Sequence, residues 1–237
     1  MESETKDLSL NTKDLIASLR HTYIMIVILI IFSVSGFISN TSSAESISNS
    51  SKIILYFTIT LGEWALVYYL WIGIKKAKKI SLINLISSKA SLEFRLNDFL
   101  KGLIFWIVAN AILYTIKYLL NLPLVSNSNA NLLPHTYLEY TSFFILALSA
   151  GFCEEIIYRG YFQKQFIVIF KNKWVAILLQ GVLFGVSHGY QGTKYIIVIS
   201  VYGILFGLLT NFVKNLKPGI IAHSWQDIFS GILYQGS

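Results

Sequence analysis

The sequence predicts an all-α, polytopic transmembrane bundle of about seven to eight helices, and three observations lead there. Of 237 residues 54% are hydrophobic and 13% charged, whereas a soluble domain carries roughly a quarter charged residues. The mean hydropathy is +0.60, and isoleucine, leucine and aromatic residues run in long blocks without the polar alternation of half-buried strands. Lysine and arginine collect in short stretches between those blocks. That placement makes the formal net charge of +7 a signal of membrane orientation and not of nucleic-acid binding. A single cysteine, Cys153, excludes an internal disulfide framework and a cysteine metal cluster.

A spanning helix takes about 20 apolar residues. The first block is Tyr23 to Ser39; its length suits an uncleaved helix better than a signal peptide cut near Ser42-Ser43-Ala44. The second runs from Ile53 to Ile74 and the third from Phe99 to Leu120. A fourth begins near Tyr140, a fifth at Trp174, a sixth covers Tyr195 to Val213, and a seventh runs from Pro218 to Tyr234. Two shorter stretches, Leu82–Ile86 and Phe166–Phe170, read as interfacial, and insertion of either would make an eighth helix. The pairs Gly181-xxx-Gly185 and Gly203-xxx-Gly207 predict close packing of the fifth and sixth helices.

Charge sets the expected orientation. Lys6, Lys13 and Arg20, the run Lys75–Lys79, and Lys164, Lys171, Lys173, Lys214 and Lys217 mark the cytoplasmic side. The stretches NTSSAESISNSS and LPLVSNSNANLLPH carry no lysine or arginine and are expected outside. The chain then divides into a cytoplasmic segment (1–22), a first set of membrane helices (23–136) and a second set (137–237) that carries the candidate chemistry.

Ionisable residues inside membrane helices are functional candidates because their burial is expensive unless they are paired. Three places qualify: Glu154, Glu155 and Arg159; His188; and His223 with Asp227. On an α-helix Glu155 and Arg159 share a face as an i, i+4 pair, and Glu154 is rotated by about 100° and left without that partner. His223 and Asp227 are likewise four apart, so the aspartate can orient the imidazole. Counting from a turn at Lys171–Lys173 places Glu154 and His188 at nearly equal heights, about 23–26 Å away. His223 is about 8 Å from the inner end of its helix, which agrees only if the hairpin around Lys171 projects into the cytoplasm.

These residues resemble the motifs of the CAAX-protease and bacteriocin-processing intramembrane proteases, the Abi family. EEIIYR at Glu154–Arg159, FGVSH at Phe184–His188 and HSWQD at His223–Asp227 stand in the family's order, across roughly Tyr140 to Tyr234. The resemblance implies peptide-bond hydrolysis by a glutamate-activated water. Glu154 would be the base, His188 would position the water or protonate the leaving amine, and His223 would stabilise the oxyanion. Glu155, Arg159 and Phe184 would support them. Many members carry asparagine where this chain has Asp227; an amide donates a hydrogen bond and an ionised carboxylate does not, so Asp227 either carries a proton or acts on His223.

Other readings stay open. Glu154, His188 and His223 form a His₂Glu zinc set by composition, without the H-E-x-x-H spacing, so the cofactor is undetermined and zinc is one candidate. Cys153 beside the glutamates allows a cysteine nucleophile, although a packed apolar thiol is its commoner fate. The same acids and histidines suit a proton-coupled transporter, or a bacteriocin-immunity factor that binds without cleaving. The implied partners are the lipid bilayer and a peptide or protein substrate (a CAAX-type C-terminus, bacteriocin leader or pheromone precursor), with no nucleic acid. The expected location is the cell membrane, multi-pass, with the active site toward the cytoplasmic side.

Overall fold

A computed structural model describes residues 14–42, 49–77, 80–87, 92–123 and 132–233. Lys6, Lys13, Ser43 and Ala44, Lys78 and Lys79, and Tyr234 lie outside the described residues, as does part of each lysine-free loop. The helices are α1 (Leu19–Ser42), α2 (Asn49–Ala77), the short α3 (Leu82–Ile86), α4 (Leu96–Leu119), α5 (Tyr137–Glu154), α6 (Gln163–Phe170), α7 (Lys173–Ser187), α8 (Thr193–Val213) and α9 (Lys217–Leu233). A π-helical stretch, Glu155–Phe162, joins α5 to α6, and a 3₁₀ turn at Gly189–Gln191 links α7 to α8.

Every predicted span therefore has a helix. Among the described residues four helices are long and apolar enough to cross a membrane: Ser51–Ala77, Leu96–Leu119, Tyr137–Phe170 and Thr193–Val213. Leu19–Ser35 and Lys173–Ser187 are apolar but shorter. Phe166–Phe170, expected to be interfacial, forms no short helix of its own. It ends a continuous 34-residue helix from Tyr137, about 51 Å long, well beyond a hydrocarbon core of about 30 Å. The fourth span begins three residues before Tyr140 because Thr136 caps it, its side chain accepting from the Glu139 amide at 3.3 Å. The Glu139 carboxylate in turn accepts from the His135 amide at 2.8 Å.

The turn at Lys171–Lys173 forms as expected. Lys171 takes the left-handed conformation (φ 51°), and Asn172 caps α7 by accepting from the Trp174 and Val175 amides. The returning α7 packs closely on α8. A Cβ at Gly185 would lie 2.5 Å from the Ile196 carbonyl oxygen, and one at Gly203 would lie 2.9 Å from the Gly181 Cα. The four small residues thus set the helix separation, as their spacing suggested.

Polar side chains tie the remaining elements to the long helix. Gln165 accepts from the Ile16 amide at 2.8 Å and donates to the Ala17 carbonyl at 2.8 Å, so it satisfies the chain just before α1. Near the start of α9, Asn215 donates to Asp98 of α4 at 2.9 Å and the Leu216 amide donates to the Ile86 carbonyl. Helix α9 packs against both α4 and α5, and α2 packs against α5.

Replacing Gly185 with alanine is expected to lower the melting temperature of the detergent-solubilised protein, because the new methyl meets backbone on α8. Gly62→Ala, where nothing lies within 4 Å of the added carbon, is expected to be neutral or to stabilise by up to about 1 kcal/mol through helix propensity. Equal melting temperatures for the two variants would contradict this account of the α7–α8 contact.

Candidate active site

The site begins with a charge pair. Glu155 and Arg159 have fully buried side chains and meet at 2.8 Å between Glu155 Oε1 and Arg159 Nη1. The guanidinium also donates to the Gly203 carbonyl of α8 at 3.3 Å and lies over the rings of Phe184 (4.4 Å) and Phe206 (4.9 Å). One cation thus contacts α7, α8 and its own helix, and aromatic faces replace the water it has lost. The pair was expected on an α-helix, but the backbone from Glu155 is π-helical and closes with the Gln163 amide donating to the Tyr158 carbonyl. π-helical turns inside α-helices are frequent at functional sites.

Helix α9 reaches this point because of one glycine. A Cβ at Gly151 would lie 2.7 Å from the Ser224 amide nitrogen, so only glycine lets α5 and α9 cross here. The crossing places His223 beside both glutamates. Its Nδ1 lies 3.1 Å from Glu155 Oε1, and its Nε2 lies 3.5 Å from Glu154 Oε2 and 3.8 Å from Asp227 Oδ2. Glu155 therefore contacts His223 directly, a link that the sequence reading did not contain; there, Asp227 alone was the orienting group. A carboxylate neutralised by arginine accepts, so the Nδ1 of His223 donates and its Nε2 faces the other two acids.

His188 comes from the C-terminal end of α7. Its Nδ1 lies 2.8 Å from the Phe184 carbonyl, which can only accept, so this nitrogen carries the proton. The Nε2 then points to Glu154 Oε1, 3.9 Å away. Ser187 beside it receives a hydrogen bond from Tyr158 of the π-helical stretch at 2.7 Å, which couples the histidine's helix end to the glutamate's. Phe184 packs against both imidazoles, with ring centroids 4.6 Å from His188 and 5.8 Å from His223.

Glu154, His188, His223 and Asp227 all line one cavity of about 460 Å³. It extends away from the lysines at the ends of α2 and α6, toward Lys117, Leu133 and Tyr195. Cys153 does not line it; the cysteine is fully buried and its sulfur lies 3.9 Å from Ser149 Oγ. Among the described residues no group of three or more histidine, cysteine, aspartate or glutamate side chains is arranged to hold a metal ion.

One lining residue was missed from sequence. Glu63 of α2 is 9% exposed and accepts from Ser149 Oγ at 2.9 Å. Among the described residues no lysine or arginine forms an ion pair with it. The signal was present: Glu63 is the one carboxylate in the apolar block Ile53–Ile74, and the rule applied to the other acids applies equally to it.

Residues 136–229 match a family model, that of the type II CAAX prenyl endopeptidase Rce1-like proteins, consistent with the resemblance seen in the motifs. No curated protein and no solved structure matches the chain.

Arg159→Ala is expected to destabilise the protein by about 3–5 kcal/mol in detergent unfolding, because it strands a fully buried carboxylate. Adding Glu155→Leu to the same chain should recover part of that loss. A single variant as stable as wild type would show that the pair does not hold the bundle.

Proposed function

We propose, from the premise that residues 136–229 form an Rce1-like domain, that this protein is an intramembrane endopeptidase using a water activated by Glu154. The observation that carries the reading is convergence. Carboxylates and imidazoles from three separate elements, α5, the end of α7 and α9, meet within 3.5–3.9 Å inside one cavity in an apolar bundle.

In this reading the water sits between the Glu154 carboxylate and the Nε2 of His188, which is an acceptor when its Nδ1 holds the proton. Glu154 takes a proton as the water oxygen attacks the peptide carbonyl carbon. The carbonyl π-bond becomes an oxyanion, and His223, as an imidazolium donating from Nε2, faces that charge. Collapse breaks the carbon–nitrogen bond, and the proton held on Glu154, passed directly or through His188, goes to the leaving amine. A base of this kind contributes about 10²–10⁴-fold and an oxyanion donor about 10²–10³-fold. Glu155 and Arg159 hold His223 in place, and Asp227 bears on the same nitrogen from one helical turn away.

The walls between the acids and the far end include Phe143, Leu146, Val198 and Ile199. That lining suits an apolar, membrane-associated peptide, such as a lipidated CAAX-type C-terminus or a bacteriocin or pheromone precursor. The helices of residues 137–237 supply the bond chemistry, and those of 23–136 supply part of the cavity wall. With the lysine-rich end and residues 1–22 in the cytoplasm of a cell-membrane protein, the cavity reaches toward the opposite face.

Mass spectrometry of membrane peptides from cells expressing wild type or Glu154→Gln tests the proposal. Products present only with wild type are expected, with cleavage falling about 10²–10⁴-fold in the variant. Identical peptide profiles would remove the proteolytic reading. Cys153→Ala is expected to keep full turnover, because the thiol is packed away from the cavity; loss of cleavage in a folded Cys153→Ala protein would restore the nucleophile alternative.

A further inference from the structure

The bond chemistry described above does not use Glu63. It lies on the central part of α2, where a carboxylate is expensive to bury and is ordinarily matched by a cation. Among the described residues its one hydrogen-bond donor is the neutral hydroxyl of Ser149, at 2.9 Å. Two other pairs of buried charges in the bundle are matched: Arg159 meets Glu155 at 2.8 Å, and Lys52 meets Glu139 at 4.0 Å. Glu63 differs from them in lining the cavity that also holds Glu154 and Asp227. This part of α2 is tied to α5. The neighbouring Trp64 stacks on Phe152 of α5, with ring centroids 5.7 Å apart and an interplanar angle of 24°.

Its position relative to the reacting water can be measured along α5. Ser149, which bonds Glu63, precedes Glu154 by five residues, about 7.5 Å along the helix axis. An extended peptide rises about 3.3 Å per residue, so this offset spans roughly two residues of a bound substrate. Ser149 also lies on the side of Glu154 toward which the cavity extends. A peptide reaching the reacting centre from that end would pass Glu63 first. Three carboxylates (Glu63, Glu154 and Asp227) and one lysine, Lys117 at the far end, line the space, while the Arg159 cation is engaged by Glu155 outside it.

We propose that Glu63 is a specificity-determining residue that receives a positive group of the substrate, a lysine or arginine side chain or a free α-amine, roughly two residues from the scissile bond. The inference rests on the endopeptidase reading and deepens it. It narrows the substrate class to apolar peptides carrying a basic group near the cut. The cation supplied by the substrate completes the pairing that α2 lacks, so binding and charge compensation occur in one step.

The test starts from the peptides whose cleavage depends on Glu154. Their cut sites are expected to carry a lysine, arginine or free amine about two residues away. A synthetic peptide spanning one such cut, in phosphatidylcholine vesicles with the full-length protein, is then compared with a copy in which norleucine replaces the lysine or arginine, or an acetyl group caps the amine. Wild type is expected to prefer the basic peptide at least about tenfold in kcat/KM, and Glu63→Gln to reduce that preference to near unity. Glutamine still accepts from Ser149, so the variant removes charge while keeping the hydrogen bond. Cut sites without a basic group, or an undiminished preference in Glu63→Gln, would overturn the assignment of Glu63 and leave the endopeptidase standing. Absence of any peptide whose cleavage depends on Glu154 would overturn the endopeptidase reading, and the Glu63 assignment with it.

Discussion

A fully buried ion pair governs the geometry of this protein. Glu155 and Arg159 face each other at 2.8 Å with no solvent access. In such a place each charge alone would be intolerable, and the two together need further partners to offset their lost hydration. Those partners are structural elements: the Gly203 carbonyl on α8, the ring of Phe184 on α7, and the imidazole of His223 on α9. The helices are therefore gathered around one salt bridge, and His223 stands where it gives Glu155 Oε1 a second partner beside Arg159.

Two backbone features make that gathering possible. The π-helical stretch from Glu155 re-aims the side chains of the long helix without breaking it, so adjacent glutamates serve different neighbours. Glu155 turns to Arg159 and to the Nδ1 of His223, while Glu154 turns to the cavity and to the Nε2 atoms of both histidines. Glycine does the rest. Gly151 admits α9, and the Gly181, Gly185 and Gly203 set admits α8, each at separations that a single methyl group would block. Proximity in this bundle is bought with absent side chains.

The polarity of the cavity follows from the same economy of charge. Arg159 is committed to Glu155, leaving three acids on the cavity wall facing histidines whose Nδ1 atoms are already engaged, by the Phe184 carbonyl and by Glu155. On the proposed reading such a space, with its acids around the histidines, Lys117 at the far end and apolar walls between, takes a substrate that is itself apolar with a localised cation. On the proposed reading, catalysis by an activated water and selection of a basic peptide would be two uses of one electrostatic arrangement, separated by about five residues of α5.

The sequence by itself determined the all-helical membrane architecture, the positions of the apolar segments, the glycine-lined contact between α7 and α8, and the residues EEIIYR, FGVSH and HSWQD as one constellation. These are legible because hydropathy, small-residue spacing and the cost of buried charge are local properties of a chain. Only the tertiary structure decided that Glu155 binds His223 and that the backbone there is π-helical. It alone showed that Phe166–Phe170 continues the long helix and that Glu63 joins the cavity from a helix some ninety residues earlier in the chain. Each depends on which face of a helix meets which neighbour, and hydropathy that is apolar all round a helix carries no record of its facing.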